Sequence, residues 1–414
     1  MRRIILCLDG TWNSAFAENK RRDGHTVLKP SNPLKLARAI KPFAADGTEQ
    51  IVYYAIGVGS LSVYPGTANW LLHHVDRILG GAFGARFEAN VEDAVHFLTL
   101  NYEPGDEVFV FGFSRGAGTA RAVTRFLEWN RGVPRKCDAY YLPLLFREWL
   151  RVKGADDHGA FAANIKGLKP FDPVTVKYLG VWDTVMALGS RLRATGGNTT
   201  AEKKRAFFAG DTPSSCVVRA RQALAIDEHR FDFRPEVWRG ALAGQQVEQR
   251  WFAGVHSNVG GGYNHDGLAN IAFHWIVEGA EAEKLELDRD YVRFFKEFSG
   301  DTLYESSTPF YKVLDFARSA LGHGKRVVHG YNADLAPSVI ERMARSTLLG
   351  DDRKEVTTPY RPANALRFLA AQPDLQAYLQ QIGAGDKTLP SDVQAKIEQY
   401  KREEAAVLGY GTPT

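Results

Sequence analysis

At 414 residues the chain can hold one large domain or two to three small ones, with ample material for a sizeable core. Charges of both signs are mixed along it, and a net charge of +4 is small for this length; a nucleic-acid binder is disfavoured and only a weak pull toward anionic surfaces remains. Cys7, Cys137 and Cys216 are scattered and odd in number, which argues against a disulfide scaffold and predicts reduced, buried thiols.

The chain begins Met1-Arg2-Arg3, but the apolar run Ile4 to Leu8 is stopped by Asp9, too soon for a signal-peptide core. No run of about 18 apolar residues follows. The expectation is a protein made in the cytoplasm without a membrane-spanning helix. Arg3 to Leu8 reads as a strand ending in Asp9-Gly10-Thr11-Trp12-Asn13. Ser31 or Asn32 caps a helix with Pro33 in its first turn and Leu34, Leu36, Ala37 and Ile40 as apolar positions. Gln50 to Ile56 is a second strand, closed by Gly57-Val58-Gly59. Residues 83 to 101 carry Phe87, Val91, Ala94, Val95 and Leu98 at helical spacing, and Glu107 to Phe111 is a third strand.

That third strand runs into Gly112-Phe113-Ser114-Arg115-Gly116, and residues 117 to 127 resume helical spacing. Strand, Gly-x-Ser-x-Gly and helix in this order form a nucleophile elbow: the turn lifts Ser114 Oγ above the strand end, and a Cβ at Gly112 or Gly116 would strike neighbouring backbone. Alternating strands and helices imply a mostly parallel sheet with helices on both faces and a ligand site at the carboxyl ends of the strands. Counting back two strands from the nucleophile reaches the loop that supplies half of an oxyanion hole in the α/β-hydrolase fold. Here it is Asp9-Gly10-Thr11. The expected donors are the Arg115 amide with that of Gly10 or Thr11.

Two later strands end in candidate partners. Val174 to Val181 precedes Trp182-Asp183-Thr184, and Glu248 to Val255 precedes His256 and a glycine-rich loop, Gly260-Gly261-Gly262. Ser114, Asp183 and His256 follow the chain order Ser, Asp, His of this fold. His256 would take the serine proton and Asp183 would hold the imidazole tautomer. Alternatives stay open: Asp183 could be a cap, leaving Asp227 or Asp266 as the acid, and His265 competes from the same glycine-rich loop. Asp9 is read as holding the oxyanion loop by hydrogen bonds rather than as a metal ligand, since no His or Asp partner stands near it in sequence. No metal or cofactor is expected. Trp70, after the Tyr64-Pro65-Gly66 turn, and Phe146, in the apolar run from Tyr140, are candidates to line an acyl site; the competing reading makes both ordinary buried helix faces.

Residues 280 to 414 are mostly helical in pattern. Asp392 to Leu408 is a charged helix with few apolar positions.

Leu8-Asp9-Gly10-Thr11-Trp12-Asn13, Gly112 to Ala117, Gly180 to Val185 and Trp251 to Ser257, continuing through Val259-Gly260-Gly261-Gly262-Tyr263, together resemble the α/β-hydrolase domain of the type VI secretion phospholipase effectors of the first lipase class. Pro337-Ser338-Val339 with Arg342, and Tyr360 to Asn364, resemble the segments that close that domain. The resemblance implies hydrolysis of phospholipid acyl esters by a triad falling on Ser114, Asp183 and His256. It departs from the family at Asn258, where the pattern has Asp.

The expected organisation is a catalytic domain over 1–367 with insertions and a helical C-terminal extension over 368–414, packed on or trailing it. The expected activity is a serine hydrolase of lipid esters working through an acyl-enzyme. A soluble small-ester hydrolase or thioesterase, and a non-catalytic hydrolase-fold binding protein, are the alternatives. Expected partners are a lipid or other ester, transient contact with a membrane surface, no nucleic acid, and for an exported effector a secretion-spike or immunity protein, reached by the type VI route.

Overall fold

A computed structural model describes residues 1–10, 18–20, 26–57, 81–152, 168, 174–186, 207–230, 233–306, 326–350 and 353–409. Seven parallel strands form its central sheet: β1 (Arg3–Leu8), β2 (Gln50–Ala55), β3 (Glu107–Phe113), β4 (Val176–Trp182), β5 (Val217–Ala225), β6 (Gln246–Phe252) and β7 (Ala333–Leu335). Their order is β2-β1-β3-β4-β5-β6-β7. The chain starts inside the sheet, steps outward to β2, returns past β1 to β3 and then adds strands in the opposite direction. The reversal falls between β1 and β3, the point in a parallel α/β sheet at whose carboxyl ends ligands bind. Leu8 is in register with Gly112, so Asp9 and Gly10 leave β1 beside the turn that carries Ser114.

Both faces of the sheet are covered, as the alternation of side chains along the strands requires. Ile4, Leu6, Val108 and Val110 point into one core with Phe87, Val91 and Leu98 of α2 (Gly81–Asn101) and Val123 and Phe126 of α3 (Arg115–Trp129). Ile5, Cys7, Phe109 and Phe111 point into the other, against Leu36 of α1 (Asn32–Ala39) and Phe273 and Ile276 of α6 (Gly267–Ala282). This is the α/β-hydrolase-like class expected. Ser31 is the cap of α1, its side chain accepting from the Leu34 amide, with Pro33 in the first turn. Before Asp301 there are also helices α4 (Leu142–Val152), α5 (His256–Gly260) and α7 (Arg289–Phe294), and a small antiparallel pair, Glu18–Lys20 with Thr26–Leu28. No helix among the described residues is long and apolar enough to cross a membrane.

The structure departs from the sequence reading in three places. β5 was not expected as a strand, because Val217–Ala225 mixes alanine with Arg219, Arg221 and Gln222; the sheet accommodates them by pairing both arginines with Glu248 on β6 and Gln222 with Gln249. β7 is a short edge strand within a region of helical pattern. Cys137 is exposed, in the 3₁₀ turn Lys136–Tyr141, whereas Cys7 is buried and Cys216 half-buried; all three are free thiols. Beyond β7 come α8 (Pro337–Ala344), α9 (Ala363–Ala370), α10 (Leu375–Gln381) and α11 (Ser391–Gly409). Leu366, Leu369, Leu379, Val393, Ile397 and Tyr400 join the core that contains Phe111 and Ile276. The charged α11 therefore keeps an apolar stripe that buries against the domain.

Candidate active site

Ser114 stands between β3 and α3 at φ 59°, ψ −122°, a region costly for any side chain. What holds it there is backbone: the Ser114 amide donates to Trp182 O at 3.0 Å, and Ser114 O accepts from the Val185 and Gly118 amides, each at 3.2 Å. The glycines on either side have no room for a side chain. A Cβ on Gly112 would lie 2.4 Å from Gly116 O, and one on Gly116 would lie 2.2 Å from Leu8 O. Asp183, at the end of the adjoining strand β4, is also left-handed, at φ 41°.

His256 opens α5 after β6. Its Nε2 is 2.7 Å from Ser114 Oγ and its Nδ1 is 2.6 Å from Asp183 Oδ2. The ring is clasped by Phe113, at 4.6 Å between centroids, and edge-on by Phe233 at 4.9 Å. Ser114, Asp183 and His256 are all buried. A carboxylate on one imidazole nitrogen and a hydroxyl on the other fix the neutral tautomer with its proton on Nδ1, leaving Nε2 as the acceptor facing Oγ.

Sequence reasoning missed the residue that completes this line. Arg326 donates to both Asp183 oxygens, Nη1 to Oδ1 at 2.7 Å and Nη2 to Oδ2 at 3.0 Å, and Ala225 N adds a third donor at 3.0 Å. Burial alone would push the Asp183 carboxyl up, but Arg326 and then His256 outweigh it and hold the group well below the usual carboxylate range. For His256 burial dominates and lowers its basicity, with Asp183 offsetting this only in part. Glu228, also missed, accepts from the His256 amide at 3.2 Å, from Ser306 Oγ at 3.0 Å and from the Arg230 guanidinium. Burial raises Glu228 and Arg230 overcomes it, bringing the carboxyl to about 2. No sequence signal marked Arg326, which follows Lys325 in what reads as a surface basic pair.

Arg115 is the first residue of α3, so helix geometry aims its amide out of the helix start beside Ser114. Asp9 accepts from Ser31 Oγ at 2.5 Å, from Tyr54 OH at 2.6 Å and from the Gly10 amide at 2.7 Å. The Gly10 N–H is thus turned to its neighbour's carboxylate. Thr11 and Trp70 lie outside the described residues. Phe146 sits in an aromatic cluster with Phe126 and Trp149, at 6.0 and 5.3 Å, because the apolar face of α4 packs on α3.

The competing acids and base are engaged elsewhere. Asp227 accepts from the Gly254 amide and Tyr360 OH, both at 2.7 Å, and burial raises its carboxyl. Asp266 pairs with the buried Lys35 at 2.9 Å. His265 Nδ1 is 3.2 Å from Arg353 Nη1. Asn258 ties the loop after β6 to a later segment, its Oδ1 accepting from Tyr304 N at 3.2 Å and its Nδ2 donating to Thr302 O at 3.1 Å. An Asp in its place would lose the second of these bonds.

Against this geometry, the sequence model of the catalytic domain of the type VI secretion phospholipase effectors, Tle1-like, matches residues 2–279. The chain belongs to this family. Ser114, Asp183 and His256 all lie in the matched Tle1-like catalytic region. The Saccharomyces cerevisiae protein YEL023C, described as uncharacterized, is 32% identical over 130 residues, which is 31% of this chain and 17% of that protein. Among solved structures, an uncharacterized Pseudomonas aeruginosa protein aligns at TM-score 0.43 and 17% identity, covering 99% of this chain and 62% of that one. The Tle1 effector bound to the VgrG spike aligns at TM-score 0.34 and 20% identity, covering 64% and 51%. The chain thus spans less than two thirds of each of these proteins. Residues beyond the Tle1-like match still brace the site: Asn364 Nδ2 donates to Ile226 O at 2.9 Å and to Arg326 O at 3.3 Å, and Tyr360 holds Asp227.

Proposed function

We propose that the protein is a serine ester hydrolase that cleaves acyl esters of phospholipids, with Ser114 as nucleophile, His256 as base and Asp183 as its orienting partner. The observation that carries this reading is His256 bridging Ser114 and Asp183 at 2.7 and 2.6 Å on the carboxyl rim of the sheet; the family supplies the substrate class. As Ser114 Oγ attacks the acyl carbonyl, its proton passes to His256 Nε2. The negative oxygen of the tetrahedral species accepts from the Arg115 amide, with Gly10 or Thr11 of the loop after β1 as the second donor. His256 returns the proton to the leaving lysophospholipid oxygen, and a water activated by the same nitrogen then releases the fatty acid from the serine. As a member of an effector family, the chain is further proposed to leave the cell by the type VI route, with a secretion-spike protein as carrier and an immunity protein as antagonist.

The test is release of free fatty acid from phospholipid vesicles with the phosphodiester intact. Each buried methylene contributes about 0.8 kcal/mol, so kcat/KM is expected to rise from acetyl toward octanoyl nitrophenyl esters. A preference for acetyl esters with no fatty acid released from phospholipid would leave a small-ester hydrolase in place of a phospholipase. Because burial lowers the basicity of His256, the rate should climb with pH through one ionisation whose midpoint lies below the ordinary histidine value of about 6.5. The sign follows from the role: only the neutral ring accepts the serine proton, so depressing its affinity for protons extends activity to lower pH. A kcat/KM profile with its acid limb above 7 contradicts this assignment.

A further inference from the structure

The line through the site does not stop at the carboxylate. Asp183 has no exposed surface, and two of its four hydrogen bonds come from one guanidinium in fork geometry. Arg326 is itself buried, and the same two nitrogens also donate to Ala225 O at 2.7 Å and to Phe233 O. One side chain therefore fixes the plane of the carboxylate, the end of β5 and the residue whose ring packs edge-on against His256. Its own backbone is fixed in turn by Asn364. Such a fork does more than orient. An Asp held only by neutral donors would place a nearly full negative charge 2.6 Å from the imidazole, and in a dry site would make the ring strongly basic. A guanidinium on the same two oxygens opposes that charge.

We propose that Arg326 is a positioning residue of the catalytic line, which locks Asp183 in the orientation His256 needs while neutralising its charge, so that the base stays unprotonated under mildly acidic conditions. This rests on the serine-hydrolase reading above. The charged groups acting on His256 are Asp183 and Glu228, which favour its protonation, and Arg230, which opposes it. Glu228 is already paired with Arg230 at 2.9 Å, and Asp183 with Arg326 at 2.7 Å. Each carboxylate near the ring thus has its own arginine. Removing Arg326 leaves Asp183 uncompensated and takes a second cation away from Glu228, which keeps Arg230; both changes favour a proton on the Asp183–His256 pair, which then takes it up at higher pH, whichever residue carries it.

The experiment compares wild type, Arg326→Gln and Arg326→Lys by kcat/KM profiles on a nitrophenyl ester, with fluorophosphonate titration to count competent sites and thermal melts to count folded protein. The ¹⁵N resonances of His256, assigned by their absence in His256→Gln, give a midpoint independent of turnover. Arg326→Gln should move both the acid limb and that midpoint upward by about one pH unit or more. Arg326→Lys, which keeps the charge and loses the fork, should lower kcat with the limb near its wild-type position. An Arg326→Gln protein that is slower with an unmoved limb and midpoint makes Arg326 a structural brace only and overturns the proposal. Wild type supplies a check that needs no folded variant: a His256 midpoint above the ordinary histidine value means the Asp183 charge reaches the ring unscreened, and that too overturns the proposal. Wild-type protein that neither labels nor turns over overturns the hydrolase reading instead, while its His256 midpoint still tests the charge cancellation.

Discussion

Ser114→Ala is expected to abolish ester turnover and labelling by a fluorophosphonate while leaving the melting temperature close to wild type. The side chain lost is one hydroxyl, and the strained backbone around it is held by Trp182, Val185 and Gly118 through main-chain bonds that alanine retains. His256→Ala should lower kcat by about 10³ to 10⁶, which is about 4 kcal/mol or more of transition-state stabilisation. The serine and histidine act as one proton-transfer unit, so the double variant should be no slower than the worse of the two singles. Asp183→Asn should also be slow, since an amide that donates to Nδ1 selects the wrong tautomer. It additionally leaves Arg326 buried without its anion, and breaking a buried pair on one side costs about 3 to 5 kcal/mol, so this variant alone should melt earlier. Full-stoichiometry labelling of Ser114→Ala would remove Ser114 from its role. Asp227→Asn as slow as His256→Ala, beside an active Asp183→Asn, would move the acid to Asp227 despite its bonds to Gly254 and Tyr360.

The sequence made this site legible where function imposes local rules. A serine lifted off a strand end needs flanking residues without Cβ, so Gly112 and Gly116 are visible in the one-dimensional pattern, and parallel strands place Asp9, Asp183 and His256 on one rim whatever their exact registers. Arg326, Glu228 and Tyr54 were not legible, because what makes them matter is a partner far along the chain: 143 residues separate Arg326 from Asp183. The same reason hid β5. Its arginines look like surface residues until Glu248 on β6 is placed beside them. Phe146 shows a different limit of pattern: of its two readings, acyl-site lining or ordinary helix face, the structure places its run on the inward face of an amphipathic helix seated on α3. Periodicity reports that a residue is buried and is silent about whether the cavity around it belongs to the core or to the substrate.

Gly116→Ala should be as revealing as any substitution of a polar group. Its Cβ would lie 2.2 Å from Leu8 O and 2.5 Å from Asp9 O. Both are main-chain atoms at the end of β1, so no rotamer change relieves the contact, and the strand end must separate from the elbow. Overpacking of this kind costs about 1 to 3 kcal/mol, and the movement displaces the loop proposed to supply an oxyanion donor, whose loss typically costs about 10² to 10³ in kcat. A lower melting temperature and a fall of that order in kcat are therefore expected together. Gly118→Ala is the control, two residues further along α3. Its Cβ would meet Met186 Sδ at 2.3 Å, the flexible end of a side chain that can swing aside, with the next contact, Phe87, at 3.3 Å. That variant should keep kcat within about threefold of wild type and lose less stability than the Gly116→Ala protein. If Gly116→Ala matches wild type in both kcat and melting temperature, β1 does not hold the elbow, and the close approach of Leu8 to Gly116 has no part in shaping the site.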